Sequence, residues 1–158
     1  LGVWMVNVHA LGGAEMIQAA RSGLGNAPNR SLLTAVTILT SMDAASLSAI
    51  GFHQEPAEMV IRLAQLAQKS GADGVICSAN EAKELNARLG DNFIKVTPGI
   101  RPSGTAFDDQ KRVMTPSEAI KQGADYLVIG RPITQAPDPV SVLTSVIQEI
   151  ENSVNFDA

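Results

Sequence analysis

Apolar and polar positions alternate along this chain in five similar blocks, each a short apolar run, then a turn, then a helix-like stretch. The runs cover residues 3–9, 32–40, 74–78, 93–98 and 126–129. They are continuous rather than alternating, as in strands covered on both faces. Between the second and third runs, Val60, Leu63, Ala64 and Ala67 recur at helical spacing, and after the fifth run so do Leu143, Val146, Ile147, Ile150 and Val154. Ser78 with Glu81 has the spacing of a capping box, and that helix is expected to stop at Gly90. Thr115-Pro116-Ser117-Glu118 repeats the logic, with Pro at the first helical position and Gly123 just past the end. The last helix opens at Asp138-Pro139. Nothing resembles a linker or low-complexity stretch, so residues 1–158 read as one domain.

A strand followed by a helix, five times over, predicts a parallel sheet with right-handed crossovers. Two α/β architectures satisfy it: an open doubly wound sheet, or part of a (β/α)8 TIM barrel. Periodicity alone slightly favours the open form. The mean hydropathy of +0.09, with 45% hydrophobic and 18% charged residues, suits strands buried on both faces. Twelve Lys+Arg against sixteen Asp+Glu give a net charge of −4, which argues against a generic nucleic-acid surface. A small anion needs only a local basic pocket and stays compatible. Cys77 is the one cysteine, so no intrachain disulfide forms. No apolar run approaches the roughly 20 residues that span a bilayer. The sequence starts at Leu1, not Met, and enters a strand at once, which reads as a cut edge.

Two loops beyond strand ends carry the candidate chemistry. One is Val96-Thr97-Pro98-Gly99-Ile100-Arg101-Pro102, continuing to Asp109-Gln110-Lys111-Arg112; the other is Val128-Ile129-Gly130-Arg131-Pro132-Ile133. Loops after the last two strands of a barrel often form a phosphate site with nearby helix N-termini. Gly99 and Gly130 let backbone N–H groups approach a phosphate oxygen, Arg131 offers a fork of donors, and Gln110 adds an amide. Gly-Arg-Pro alone fits a surface turn equally well; paired with the preceding loop it favours phosphate, and with it the barrel.

The other polar residues carry blander readings. His9, at the end of the first run, fits a hydrogen-bonded rim histidine better than a ligand contact, and His53 reads as exposed. Two distant histidines and one cysteine make no metal-ligand spacing. Cys77 reads as a packed core thiol and Trp4 as packed rather than ligand-stacking. Thr40 and Ser41 lack a nucleophile elbow and read as hydrogen-bonding groups.

Taken together, the two loops, with Val6-Asn7-Val8-His9-Ala10, Leu39-Thr40-Ser41-Met42 and Asp73-Gly74-Val75-Ile76-Cys77-Ser78, resemble the bacterial orotidine 5′-phosphate decarboxylases in the same order along essentially the whole chain. The resemblance implies a cytoplasmic homodimeric barrel, working without cofactor or metal, with no nucleic-acid or membrane partner. It would convert the small-molecule nucleotide orotidine 5′-monophosphate to uridine 5′-monophosphate in pyrimidine biosynthesis. It implies that Arg101, Gln110, Gly130 and Arg131 bind substrate around its phosphate. Thr40, helped by Ser41, would contact the pyrimidine ring, and Pro98 would border the base pocket. Rival readings are a sugar-phosphate decarboxylase or aldolase of the same wider group, a non-catalytic phosphate-binding module, and an open-sheet signalling domain. The last should carry an acidic phosphoacceptor cluster at its strand ends, and the sequence has none.

One departure matters. The family's proton-donating lysine stands in an Asp-x-Lys-x-x-Asp-Ile motif ending strand 3, and none of Lys69, Lys83, Lys95, Lys111 and Lys121 has that context. The first run therefore corresponds to strand 4, the chain to strands 4 to 8, and the catalytic motif is expected within about 90 residues of barrel upstream. Such a piece leaves two sheet edges open to association. The 158-residue chain alone is expected to release no carbon dioxide from orotidine 5′-monophosphate. Turnover by purified chain would overturn that expectation.

Overall fold

The computed structural model describes residues 2–102 and 112–155, apart from the side chains of 154 and 155. The strands are β1 (Met5–His9), β2 (Leu32–Val36), β3 (Gly74–Ile76), β4 (Ile94–Thr97) and β5 (Tyr126–Leu127). The helices are α1 (Gly13–Leu24), α2 (Ala44–Ala49), α3 (Pro56–Lys69), α4 (Ala79–Leu89), α5 (Pro116–Lys121), α6 (Arg131–Thr134) and α7 (Pro139–Asn155), with a 3-10 turn at Ala10–Gly12. All five expected strands are present, trimmed at their ends. The second run was expected to reach residue 40, but β2 stops at Val36 because its neighbour β3 ends at Ile76; Thr37 makes the last link, to the Ile76 carbonyl. Two short helices, α2 and α6, were not expected. Asp43 caps α2 by accepting from the Ser46 N–H at 2.9 Å.

The strands are parallel and lie in chain order, β1-β2-β3-β4-β5. A doubly wound sheet reverses direction at a switch point. This one does not, so right-handed crossovers put the covering helices on one face. The sheet also curls. Trp4, just before β1, meets Tyr126 of β5 edge-on with ring centroids 4.9 Å apart. On a flat sheet these strands would stand about 19 Å apart, four spacings of about 4.8 Å. A singly wound, curled parallel sheet is the barrel solution, and the open alternative drops out. Trp4 itself is 58% exposed, less packed than expected.

The main core lies between sheet and helices, where Ile17 of α1, Leu33 and Ala35 of β2, Val60 and Ala64 of α3, Val75 of β3 and Leu85 of α4 are fully buried. On α7 the expected apolar face is only partly covered: Val146 is buried, but Leu143 and Ile147 are 45% and 48% exposed. They wall a groove of about 420 Å³ with Tyr126, Leu127 and Ile133 beside edge strand β5. No helix among the described residues is long and apolar enough to cross a membrane.

The ends of the strands opposite the two loops are tied by a repeated device. Gly71-Ala72-Asp73 and Gly123-Ala124-Asp125 each leave a helix through a glycine at positive φ, +90° and +92°, and enter a strand through aspartate. Asp73 gives its N–H to the Leu33 carbonyl and accepts the Leu33 N–H, each at 2.7 Å; Asp125 does the same with Lys95 at 3.0 and 2.7 Å. A cation completes each: Arg30 grips Asp73 with two nitrogens at 2.6 and 2.7 Å, and the buried Lys95 ammonium lies 3.0 Å from Asp125. The Arg30 hydrogen bonds hold the Asp73 carboxyl below its ordinary range despite partial burial. A depressed carboxylate stabilises the fold above its unfolded pKa, and that contribution is lost as pH falls through the folded value. We expect Asp73→Asn to cost about 2 kcal/mol near neutrality, with the gap from the parent shrinking below about pH 4. Urea titrations of both proteins at pH 7 and pH 3 check this; an undiminished gap in acid would contradict it.

Candidate functional site

The loops after β2, β4 and β5 come together at the carboxyl ends of the strands and enclose two adjoining cavities. The first, of about 170 Å³, is lined by Pro98, Gly99, Arg101, Val128, Gly130 and Arg131. The second, of about 180 Å³, is lined by Val36, Ile38, Leu39, Thr40, Ser41, Ile76, Cys77 and Pro98. Pro98 is the wall they share. Each is smaller than the roughly 300–1,000 Å³ of a small-molecule site, so a nucleotide-sized ligand would need both.

The chain thus brings Arg101, Gly130 and Arg131 to one cavity and Thr40 and Ser41 to the other, with Pro98 between. Gln110 lies outside the described residues. Arg101 is buried, donates one Nη to its neighbouring Ile100 carbonyl at 3.0 Å, and leaves Nε without a hydrogen-bond partner among the described residues. Gly130 caps α6, and its carbonyl accepts from Ile133 and Thr134 at 2.9 and 3.0 Å, so Arg131 starts a helical turn rather than an open loop. Among the described residues, neither lining contains a carboxylate or a lysine. The first therefore presents two arginines, and the second is apolar apart from two hydroxyls and a thiol. Burial pushes the Cys77 thiol far up, and its side chain is 1% exposed, so it packs and does not react. His9 and His53 are both exposed, and His9 makes no side-chain cap to the turn it precedes.

Gly99 is a conformational requirement of the site. Its φ is +81°, and a Cβ there would stand 2.9 Å from the Arg112 carbonyl oxygen and 3.3 Å from Thr40. The segments on either side of residues 103–111 are stitched together: the Arg101 N–H donates to the Met114 carbonyl at 3.0 Å, and the Met114 N–H to the Gly99 carbonyl at 3.4 Å.

Sequence reasoning assigned Glu81 to a capping box and gave Arg112 no role of its own. Ser78 does cap α4, accepting from the Asn80 N–H at 3.4 Å. Glu81, however, is buried and forms an ion pair with Arg112, 31 residues away. Burial pushes its carboxyl up, and Arg112 offsets part of that. A partner this remote leaves no local signature. The other box, Thr115 with Glu118, forms as expected.

A curled, singly wound α/β chain with glycine-arginine loops at its strand ends is a chain of TIM-barrel type, and likeness to known proteins narrows the class. Residues 1–146 match the model of the orotidine 5′-phosphate decarboxylase / HUMPS family, and the chain belongs to that family. It is 55% identical over 152 residues to the orotidine 5′-phosphate decarboxylase of Nitrosococcus oceani, covering 96% of this chain and 66% of that protein. To that of Pseudoalteromonas translucida it is 57% identical over 152 residues, covering 96% and 65%. The crystal structure of orotidine 5′-phosphate decarboxylase from Lactobacillus acidophilus superposes with a TM-score of 0.77 at 41% identity, over 94% of this chain and 64% of that one. The chain thus spans just under two thirds of the length of these relatives.

Gly99→Ala should cost about 2 kcal/mol through left-handed strain and the forced retreat of Arg112 or Thr40. Denaturant unfolding measures this; an unchanged midpoint would mean that the turn tolerates a side chain.

Proposed function

We propose that this chain forms the nucleotide-holding part of an orotidine 5′-monophosphate decarboxylase, corresponding to about strands 4 to 8 of one (β/α)8 barrel domain. The observation that carries the reading is the pair of adjoining cavities, one walled by two arginines and two glycines, the other apolar with hydroxyls, divided by Pro98. A nucleoside monophosphate has that polarity: a dianion at one end and a flat, hydrogen-bonding ring at the other. In this reading Arg101, Gly130 and Arg131, joined by Gln110, hold the phosphate. Thr40 and Ser41 hydrogen-bond the pyrimidine, and Pro98 borders it. Kinship with proteins named for the reaction supports the substrate and the place in pyrimidine biosynthesis; in this reading the intact protein is a cytoplasmic homodimer.

Grip and chemistry are separable here. Loss of carbon dioxide from C6 leaves a carbanion in the plane of the ring, where the π-system delocalises it poorly. A cation beside C6 must stabilise it and then supply the proton. Among the described lysines, Lys69, Lys83 and Lys121 are exposed on helices and Lys95 is buried against Asp125; none lines either cavity. The chain's contribution to rate is therefore indirect: binding energy at the phosphate, remote from the reacting carbon, is used to hold the ring where the reaction occurs.

Arg131→Met and Arg101→Met should each weaken uridine 5′-monophosphate binding by roughly ten- to a hundredfold, the value of a charge-assisted hydrogen bond. Calorimetric titration of the chain with this nucleotide and with a pentulose phosphate checks both residues and substrate class. Preference for the pentulose phosphate would transfer the chain to a sugar-phosphate enzyme of the wider group.

A further inference from the structure

Arg112 turns its half-buried guanidinium toward the protein's own groups, and it lines neither cavity. One Nη pairs with Glu81 of α4, while the other donates to the carbonyls of Ile38 at 3.1 Å and Leu39 at 3.2 Å. Its own N–H donates to the Thr40 carbonyl at 3.3 Å. Three successive carbonyls of the segment walling the apolar cavity therefore converge on one residue. The same residue also abuts the other cavity. Its carbonyl oxygen packs over Gly99, and Met114, two positions on, exchanges backbone hydrogen bonds with Gly99 and Arg101. Arg112 thus ties together two linings that otherwise share Pro98 as a wall.

We propose that Arg112, held by Glu81, is a positioning residue that fixes the spacing between the two cavities so that both ends of one nucleotide are gripped together. The inference rests on the nucleotide reading above and adds residues to it. Glu81 is the counterpart: a guanidinium drawn partly out of water to hold carbonyls is costly without an opposite charge, and Glu81 is itself only 6% exposed. The gain is one of linkage. A ligand whose phosphate is already held brings its ring to the second cavity as an intramolecular event, provided the two cavities are correctly spaced. Loss of register by about 1 Å forfeits that advantage. Neither residue touches the ligand in this scheme.

The test compares a ligand that spans both cavities with one that fills only the phosphate end. Uridine 5′-monophosphate and ribose 5-phosphate are titrated into the full chain, into the Glu81→Met/Arg112→Met double variant, which removes both charges without stranding either, and into Arg112→Lys. The double variant should lose on the order of tenfold in nucleotide affinity, hold ribose 5-phosphate to within about twofold, and be partly rescued in Arg112→Lys. If the double variant fails to fold, Glu81→Gln, which removes the charge and keeps an acceptor, gives the same comparison. Equal losses for both ligands would reduce the pair to a structural support, and no loss for either would remove its role; both outcomes overturn the proposal. An unsubstituted chain that binds neither ligand would instead overturn the nucleotide reading and the clamp with it.

Discussion

Backbone hydrogen bonds between parallel strands in chain order dictate where the loops of this protein lie. Each strand must return to the same end before pairing with its predecessor, so every strand-to-helix loop emerges at one rim. The right-handed twist of successive strands then curls the sheet, far enough here for Trp4 and Tyr126 to touch. Loops separated by some ninety residues of chain, after β2 and after β5, thereby share a neighbourhood, with the β4 loop between them. The cavities are consequences of that geometry: Pro98, leaving the penultimate strand, can only be a wall between its neighbours on either side.

The charges obey the same division of the barrel into two ends. At the amino ends of the strands, Arg30 with Asp73 and Lys95 with Asp125 close ion pairs that also complete backbone hydrogen bonds. Cation and carboxylate neutralise each other there, and the result is anchorage. At the carboxyl ends, Arg101 and Arg131 wall a cavity whose described lining holds no carboxylate, although the chain as a whole carries −4. Arg112 stands nearby but is matched by Glu81, so its charge serves the protein's own carbonyls.

In the proposed reading, holding the substrate and transforming it are separate tasks. The described residues around the two cavities are hydrogen-bond donors, hydroxyls and apolar walls; in the proposed reaction the cation demanded by an in-plane carbanion is a different requirement, and no described lysine lines either cavity. That separation suits a barrel, where binding loops and catalytic strand ends come from different parts of the chain and meet only at the rim.

Features that depend on neighbours along the chain are legible in the sequence itself. The five apolar runs, the Thr115–Glu118 capping box and the helix stop at Gly123 rest on contacts within a few residues, and the glycine-arginine loops carry their donors in consecutive positions. The choice between open sheet and barrel was legible only indirectly, through the placing of those loops on the last two strands. Tertiary contacts settled the remainder. Glu81 has the spacing of a capping residue, and its carboxyl also pairs with Arg112, 31 positions on, a partner that no local spacing announces. The apolar stripe of α7 is written in full along the sequence, but how much of it is covered depends on what packs against the β5 edge. Periodicity specifies which face is apolar; burial is a property of pairs of surfaces, and a single stretch of chain holds only one of the two.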